Sequence, residues 1–235
     1  MSTFMYVGTE LELFSKAKNW KGYIKSLLRK YIKGDVLEVG AGIGNNTRLF
    51  CSYQYTTWLC LEPDKKLFHA LEYSIALFNM TNYYAQNGTI ELLNGKQLFD
   101  SILYIDVLEH INDDKEELIK ASKHLKAGGN LIILSPAHQW LFTPFDAAIG
   151  HYRRYNKQTL KAILPNDIEV INFAYLDCVG LLASLGNKLI LRQSKPTSKQ
   201  VKLWDKFMVA ISRRLDSLLG YRFGKSILLV GRKRC

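Results

Sequence analysis

A strand that runs directly into a glycine-rich turn constrains the fold of this chain more than any other stretch. The turn follows the apolar residues Val36, Leu37 and Val39, and a helix-compatible stretch begins at Asn46. The apolar run predicts a buried parallel strand. Such a turn needs glycine where the backbone takes positive φ angles or where a side chain would keep a ligand away. The stretch therefore predicts an α/β fold with a ligand lying across the strand ends.

The spacing of the glycines, and the acid before them, indicate what kind of ligand that is. Gly40, Gly42 and Gly44 alternate, and Glu38 lies two residues ahead of the first. A dinucleotide fingerprint has the spacing G-x-G-x-x-G and places a pyrophosphate on the helix N-terminus. A carboxylate at Glu38 would repel a pyrophosphate. We therefore expect a cationic or hydroxyl-bearing ligand, and a nicotinamide-dependent oxidoreductase is the least favoured interpretation.

The chain resembles the class I S-adenosylmethionine-dependent methyltransferases at three motifs in the expected order. The first, E-x-G-x-G-x-G, spans residues 38–44; the second, F-D-x-I-x-x-x-D-V-L-E-H-I, spans 99–111; the third, L-K-x-G-G-x-L-I-I-x-x-P, spans 125–136. The resemblance covers most of residues 9–175 and the final strand. It implies S-adenosyl-L-methionine as the cofactor and in-line transfer of its sulfonium methyl group to an oxygen or nitrogen, with no metal required.

Further residues complete the expected cofactor site. Glu62 ends the second predicted strand, about 20 residues beyond the glycine turn, where a ribose would present its paired hydroxyls. A third strand is predicted at residues 89–93, and Asn94 follows it where the resemblance implies contact with adenine. The resemblance places Asp106 at the methionine end of the cofactor or at the substrate. The residues expected to bind the cofactor are Glu38, Gly40, Ala41, Gly42, Gly44, Glu62, Pro63, Asn94 and Asp106.

A polar loop after the fifth strand indicates the acceptor side of the site. Residues 135–155 lie at the edge where an open α/β sheet binds its ligands. They contain F-D-x-x-x-G-H-Y-R-R-Y, which resembles a subgroup of bacterial methyltransferases linked with glycan and cell-envelope pathways. Histidine titrates near neutral pH, and the candidate bases are His110, His138 and His151. The residues expected to bind the acceptor are Asp146, Tyr152, Arg153, Arg154 and Tyr155. The guanidinium groups of the two arginines suit an anionic acceptor.

The chain is long enough to bury a full core as one domain. It has 235 residues, of which 48% are hydrophobic, so we predict a single methyltransferase domain over residues 1–235. The predicted fold is a Rossmann-like, mostly parallel seven-stranded sheet with helices on both faces and an antiparallel last strand. Residues 1–33 are predicted to form a helical lid, in which aromatic residues line either the core or a pocket. An amphipathic helical insertion is predicted at residues 178–222.

Cysteine usage and hydropathy indicate the compartment. The four cysteines lack the spacing of a metal site or a disulfide framework, which favours a reducing cytosol and predicts no bound metal. Residues 1–18 lack the apolar core of a signal peptide, and no apolar stretch is long enough to span a membrane. We therefore expect a cytoplasmic protein.

The excess positive charge is concentrated near the C-terminus. Residues 188–235 carry the whole net charge of +11, and most of the basic residues in the insertion lie off its apolar stripe. Basic amphipathic helices of this kind bind anionic membranes. Residues 178–235 are therefore predicted to contact the inner face of the membrane, where a lipid-linked acceptor would lie. The alternative is that these helices only cover the sheet.

The predicted function is methyl transfer from S-adenosylmethionine to a small-molecule, glycan or lipid-linked acceptor that is anionic. A nucleic-acid methyltransferase is one alternative, but no N-P-P-Y or D-P-P-Y motif follows the fourth strand, which continues as Asp106-Val107-Leu108-Glu109. Nucleic acid is therefore a disfavoured partner. The other alternative is a non-catalytic adaptor that keeps the cofactor fold, and affinity for the cofactor without turnover would indicate it.

Overall fold

The computed structural model describes residues 14–51, 55–188 and 197–235, and one seven-stranded sheet organises them. The strands are β1 (Asp35–Val39), β2 (Thr57–Glu62), β3 (Tyr83–Asn87), β4 (Phe99–Ile105), β5 (Leu125–Pro136), β6 (Ile168–Leu176) and β7 (Ser226–Lys233). They follow the spatial order β3-β2-β1-β4-β5-β7-β6. In this order the neighbours from β3 through β5 are parallel, whereas β7 is antiparallel to β5 and to β6. The predicted fold class is confirmed.

Helices connect these strands. A π-helical turn, Trp204–Met208, joins the last two helices without a break. The helices are α1 (Lys18–Leu28), α2 (Asn45–Phe50), α3 (Lys65–Leu77), α4 (Asp114–Lys123), α5 (Pro144–Ala148), α6 (Lys157–Ala162), α7 (Cys178–Gly186), α8 (Ser198–Leu203) and α9 (Val209–Leu218). No helix in the described ranges is both long and apolar enough to cross a membrane.

The sheet is buried on both faces because successive side chains of a strand point to opposite sides. One core contains Val36, Leu103 and Ile132, and α1 and the helical insertion cover it. The other core contains Leu37 and Ile102, and α4 and α6 cover it. Burial on both faces is the reason that the central strands are continuously apolar in the sequence.

The predicted position of the third strand was wrong. β3 spans Tyr83–Asn87 and pairs with β2, whereas the apolar stretch after it forms a 3-10 turn at Ile90–Leu92. β3 is an edge strand whose residues are partly exposed, so it lacks the apolar run that marks the central strands. The 3-10 turn is apolar for a different reason, because Ile90 and Leu93 are buried in the second core.

The described part of the N-terminal segment packs against the insertion. Trp20 and Tyr23 are buried in the core that Trp204 shares, so they line the core. Two first-turn amides of α1, those of Asn19 and Trp20, donate to the Asp205 carboxylate at 3.1 Å and 2.9 Å. The first N–H groups of a helix lack intrahelical acceptors, so Asp205 caps α1 from the insertion. The residues before Phe14 lie outside the described residues, and the lid stays a prediction.

The insertion is anchored by a second buried acid. Asp216 accepts hydrogen bonds from the Tyr23 hydroxyl at 2.8 Å and from the backbone amides of Asp177 and Cys178 at 2.7 Å and 3.0 Å. The Trp204 indole donates to Asp177 at 2.6 Å. These contacts join α1, the end of β6 and α9. The insertion therefore covers one face of the sheet, as the alternative interpretation requires.

Candidate functional site

The glycine-rich turn lies at the carboxyl end of β1, as predicted. Gly40 and Gly44 have φ angles of +65° and +79°, and Gly44 precedes α2 in the left-handed conformation. A Cβ at Gly40 would lie 2.7 Å from Cγ2 of Val107. Most side chains are strained at positive φ. The turn therefore requires glycine both for its backbone conformation and for its contact with the segment after β4.

Glu38 lies in the core beneath the turn. Its Oε2 accepts hydrogen bonds from Thr47 Oγ1 at 2.7 Å and from Trp58 Nε1 at 2.9 Å. Burial raises the pKa of Glu38 to about 7, although both hydrogen bonds favour the charged form. Because Thr47 lies in α2, the Glu38 carboxyl group fastens the start of this helix to β1. Direct contact of Glu38 with the cofactor stays a prediction.

Glu38→Gln is expected to flatten the pH dependence of stability. Folding raises the pKa of Glu38 from 4.5 to about 7, so the folded chain keeps a proton that the unfolded chain has lost. The free energy of unfolding therefore falls as the pH rises from 4.5 to about 7. Above this range the stability that the retained proton provides is lost. At about 1.36 kcal/mol per pKa unit, Glu38 accounts for roughly 3 kcal/mol of the fall.

Urea denaturation at pH 5 and at pH 8 measures this effect. Between these two conditions the Glu38→Gln variant should lose roughly 2–3 kcal/mol less stability than the wild type. The matched control is Glu72→Gln, because the Glu72 side chain is half exposed on α3. Equal losses in the wild type and in Glu38→Gln would contradict the buried, protonated state of Glu38.

Glu62 ties the end of β2 to the glycine turn. Its Oε2 accepts from the Gly42 amide at 2.7 Å and its Oε1 accepts from the Asp64 amide at 2.9 Å. Burial raises the pKa of Glu62, and the two backbone hydrogen bonds oppose this rise. Asp64 caps α3 by accepting from the amides of Lys66 and Leu67. Glu62 and the intervening Pro63 therefore lie beside the turn, where the sequence places the ribose.

Asn94 lies farther from the strand ends than the sequence suggested. It is exposed, and its amide and side chain form a turn with Gln97 and Lys96. The residue that does lie at the carboxyl end of β3 is Asn87, whose Nδ2 donates to the Glu62 carbonyl oxygen at 2.8 Å. The misplaced third strand is the reason for this difference. Contact of Asn94 with adenine stays a prediction. The Gly88 amide also donates to the Glu62 carbonyl oxygen, at 3.0 Å, so Asn87 and Gly88 both lie beside the end of β2.

Three strands end in non-glycine residues with positive φ. Asp106 follows β4 with φ +55°, His138 follows β5 with φ +68°, and Asp177 follows β6 with φ +66°. β6 runs in the same direction as β5, so all three residues lie at one edge of the sheet. Strained non-glycine residues of this kind cluster at functional sites. Loss of hydration raises the pKa of Asp106, and the charges of His151 and Lys225 oppose this rise.

His138 is held between two elements of this edge. Its Nε2 lies 3.0 Å from the Gly224 carbonyl oxygen, so the proton must be on Nε2 in this contact. The ring stacks on Tyr175 with centroids 4.9 Å apart. Burial lowers the pKa of His138. His138 therefore joins β5 to the segment before β7, and its predicted role as a base stays untested.

Asp146 is the centre of the loop after β5. Arg154 donates to both of its carboxylate oxygens from Nε and Nη2, each at 2.9 Å, and Thr143 donates to Oδ2 from its amide and hydroxyl. His151 Nδ1 lies 3.1 Å from Asp146 Oδ1. Burial opposes the charge of Asp146, but the hydrogen bonds from His151 and Arg154 outweigh burial and hold its pKa well below the usual range. Asp146 is therefore an ionised hub that fixes His151 and Arg154.

The other residues of the G-H-Y-R-R-Y string also make internal contacts. Arg153 pairs with Asp114 at 2.6 Å, and the buried Tyr155 hydroxyl donates to the same carboxylate at 2.7 Å. Tyr152, by contrast, is 55% exposed. Both guanidiniums of the loop are thus paired with carboxylates of the protein, which leaves the predicted binding of an anionic acceptor by Arg153 and Arg154 without support from their contacts.

Two histidines and a buried acid come together beside Asp106. The rings of His110 and His151 meet edge to face with centroids 4.5 Å apart, and His151 Nε2 lies 3.9 Å from Glu109 Oε1. Burial, and then the charge of His151, lower the pKa of His110 to about 4, so it is neutral near pH 7. Burial and the charge of Asp106 raise the pKa of Glu109 well above its usual range. Both effects favour the protonated form of Glu109.

Within the described ranges, Glu109, His110 and His151 form one group of side chains that could hold a metal ion. Each of Glu109, His110 and His151 offers one ligand atom, and these atoms lie within 4.8 Å of one another. Metal binding would require the carboxylate form of Glu109, which burial opposes. The expectation of a metal-independent site stays a prediction.

Two residues of this region are not among those that the sequence assigns to the site. One is Glu109, whose carboxyl oxygens are buried beside His151 and find no hydrogen-bond partner among the described residues. Lys225 pairs with Asp177 at 3.3 Å, and burial lowers its pKa despite this ion pair. A sequence signal existed for Lys225, because an antiparallel last strand begins at the edge where the parallel strands end.

The fold and this edge define a class of protein. A glycine turn after β1, an acid at the end of β2 and acids beyond β4 are the features of a Rossmann-like enzyme that binds an adenosine cofactor. A family profile described as "Methyltransferase domain" matches residues 14–168, and the chain belongs to this family. The chain is therefore a member of the S-adenosylmethionine-dependent methyltransferase family, and its cofactor is S-adenosylmethionine.

Solved structures share this fold at low identity. An S-adenosylmethionine-dependent methyltransferase from Clostridium acetobutylicum matches with a TM-score of 0.62 and 12% identity, covering 96% of this chain and 98% of that one. The YcgJ protein from Bacillus subtilis matches with a TM-score of 0.62 and 18% identity, covering 91% and 99%. Coclaurine N-methyltransferase, bound to N-methylheliamine and SAH, matches with a TM-score of 0.60 and 16% identity, covering 97% and 83%. No curated protein matches the sequence.

The residues at the edge of the sheet fit this cofactor. A carboxylate offers about four lone-pair positions, and Glu62 uses two of them for the amides of Gly42 and Asp64. Two positions remain for the paired hydroxyls of a ribose. The glycine turn leaves its backbone open to a ligand, and contact of Asp106 with the methionine end of the cofactor or with the substrate stays a prediction. When bound, the cofactor supplies an activated methyl group on a sulfonium.

Proposed function

We propose that the protein methylates an oxygen or nitrogen of its acceptor and that His151 removes the acceptor's proton. The contact between His151 and Asp146 carries this proposal. Asp146 is ionised and accepts from His151 Nδ1, so the neutral imidazole keeps its proton on Nδ1. Its Nε2 lone pair then faces Glu109. A base whose second nitrogen is oriented by a carboxylate is the usual arrangement for general base catalysis by histidine.

Asp106 and His110 support the position of this base. A positive charge on His151, as it would carry after taking up a proton, lowers the pKa of Asp106, the residue that the resemblance places at the methionine end of the cofactor or at the substrate. His110 packs edge to face against His151 and is held neutral by its surroundings. The protein's contribution is then to hold the acceptor near the methyl group and to take up its proton, which together account for much of such catalysis.

The proposed acceptor is a glycan or lipid-linked molecule at an anionic membrane surface, on the cytoplasmic side. Arg153 is already paired with Asp114 of α4 and Arg154 with Asp146 of the loop. We therefore propose that the basic C-terminal region, and not these arginines, contacts the anionic surface. The exposed Tyr152 remains a candidate for contact with the acceptor. A nucleic-acid acceptor is not favoured, because the segment after β4 lacks the N-P-P-Y type of motif.

Formation of S-adenosylhomocysteine from S-adenosylmethionine tests this function. The acceptors to compare are short saccharides, a total extract of lipid-linked saccharides and single-stranded oligonucleotides. We expect product with the lipid-linked extract and none with oligonucleotides, and the same rate in the presence of a chelator. Turnover on oligonucleotides alone would overturn the acceptor class. Cofactor affinity without product from any acceptor would support the adaptor alternative.

A further inference from the structure

The helical run from Ser198 to Leu218 has more apolar surface than it needs to cover the sheet. Its inner face packs on the protein through Val201, Trp204 and Val209, and Ser212 and Asp216 are also buried there. The core contact of the insertion is therefore complete without the remaining apolar side chains of these helices.

A second row of apolar side chains lies outside this inner face. We define the apolar stripe as Leu203, Phe207, Ile211, Leu215 and Leu218, whose exposed fractions are 52%, 52%, 51%, 37% and 80%. A spacing of four exceeds the 3.6 residues of an α-helical turn, so such a row would drift around a regular helix. The wider π-turn at Trp204–Met208 offsets part of this drift. The stripe therefore stays on one side of the run.

The charges beside the stripe are all positive. Both acids of the run, Asp205 and Asp216, are buried on the inner face with internal hydrogen-bond donors. The basic residues are exposed, and none of them forms an ion pair with a carboxylate of the described ranges. These basic residues are Lys199, Lys202, Lys206, Arg213 and Arg214.

A groove next to the stripe contains the two arginines. It has a volume of about 570 Å³, and its lining includes Asn19, Arg213, Arg214, Ser217 and Leu218. Guanidiniums bind phosphate oxygens in a bidentate manner. The groove thus places phosphate-binding groups directly beside the exposed Leu218.

We propose that the apolar stripe and its basic residues bind the surface of an anionic membrane, with a lipid phosphate in the groove at Arg213 and Arg214. An apolar stripe flanked by charges of one sign is the pattern of a helix that lies in the membrane interface. A duplex or single-stranded nucleic acid would match the charges but would leave the five apolar side chains in water. Each basic residue near an anionic surface strengthens binding about fivefold.

This surface deepens the proposed function, because it lies on the same element that leads to the site. The exposed Phe223 follows the stripe, and the next residues are Gly224, whose carbonyl oxygen contacts His138, and Lys225, which pairs with Asp177. A membrane bound at the stripe would hold a lipid-linked acceptor near the edge of the sheet where the cofactor binds.

Flotation with vesicles tests the proposal in the absence of cofactor and acceptor. The full chain is mixed with vesicles of phosphatidylcholine, alone or with about a third phosphatidylglycerol. We expect the wild type to float with the anionic vesicles and to remain in solution with the neutral ones. Phe207→Ser/Ile211→Ser and Arg213→Gln/Arg214→Gln should each bind the anionic vesicles at least about tenfold more weakly.

Matched control variants lie elsewhere on the surface. Leu77→Ser/Leu98→Ser changes two exposed apolar residues, and Lys123→Gln/Lys161→Gln removes two charges from the helices on the opposite face. Both should bind vesicles like the wild type. Glycerol 3-phosphate at millimolar concentration should not compete, since the stripe needs the acyl region as well.

Equal flotation with both vesicle types, or wild-type binding by the stripe variant, would overturn the proposal. Retention on nucleic acid without vesicle binding would overturn it in favour of a nucleic-acid partner. Thermal melting and titration with S-adenosylhomocysteine on every variant establish that the fold and the cofactor site are intact. Cofactor binding without vesicle binding would contradict the membrane surface but not the proposed methyl transfer. Vesicle binding without cofactor binding would contradict the proposed methyl transfer but not the membrane surface.

Discussion

Glu62→Ala is expected to bind S-adenosylhomocysteine roughly thirty- to a hundredfold more weakly than the wild type. Its carboxylate holds the Gly42 and Asp64 amides and has lone pairs left for the ribose hydroxyls. Hydrogen bonds to a charged group are each worth about 1.5–3 kcal/mol, and the substitution removes both the predicted ribose contact and the link between β2 and the turn. Isothermal titration calorimetry measures the change directly.

Two further variants separate the causes of this loss. Glu62→Gln keeps one acceptor oxygen but brings an amide donor toward a backbone N–H, so we expect an affinity between those of the wild type and Glu62→Ala. Glu72→Ala removes a half-exposed carboxylate from α3 and should leave the affinity unchanged. Wild-type affinity in Glu62→Ala, with an unchanged melting temperature, would remove Glu62 from the cofactor site.

His151→Asn is expected to lower kcat about a hundred- to ten-thousandfold, the range that a general base contributes. The asparagine amide can still donate a hydrogen bond to the Asp146 carboxylate, as His151 Nδ1 does in the wild type. It cannot accept a proton as the Nε2 lone pair does. The measurement is the rate of S-adenosylhomocysteine formation with the lipid-linked extract, together with the affinity for S-adenosylhomocysteine.

The pattern of the two readouts identifies the role of His151. A base should lower kcat while the cofactor affinity stays within about twofold and KM for the acceptor changes little. The control is His69→Asn, an exposed histidine that pairs with Glu72 on α3. If His151→Asn keeps a kcat close to that of the wild type, His151 is not the base and only stabilises the loop, as Arg154 does.

The loop after β5 illustrates how contacts can reassign residues. As a sequence, G-H-Y-R-R-Y presents two adjacent guanidiniums that suit an anionic acceptor. In the structure one is paired with Asp146 and the other with Asp114, residues that lie 8 and 39 positions away along the chain. The sequence does not show whether the folded chain places a carboxylate beside each arginine. The arginines therefore hold the loop that positions His151.

The sheet, the glycine turn, the acid at the end of β2 and the cofactor could all be predicted from the sequence. These features depend on local patterns: apolar runs for strands buried on both faces, and glycines where the backbone requires positive φ. The edge strand β3 was misplaced for the same reason, since a half-exposed strand carries no such run.

The contacts of the polar side chains could not be predicted from the sequence. The fold places Glu38 under the turn, brings Glu109 and His110 against His151, and adds Lys225 to the edge of the sheet. It also separated the inner face of the insertion from its exposed apolar stripe. Hydrogen bonds, burial and shifted pKa values arise between residues that are distant in sequence, so they are fixed when the elements pack and not before.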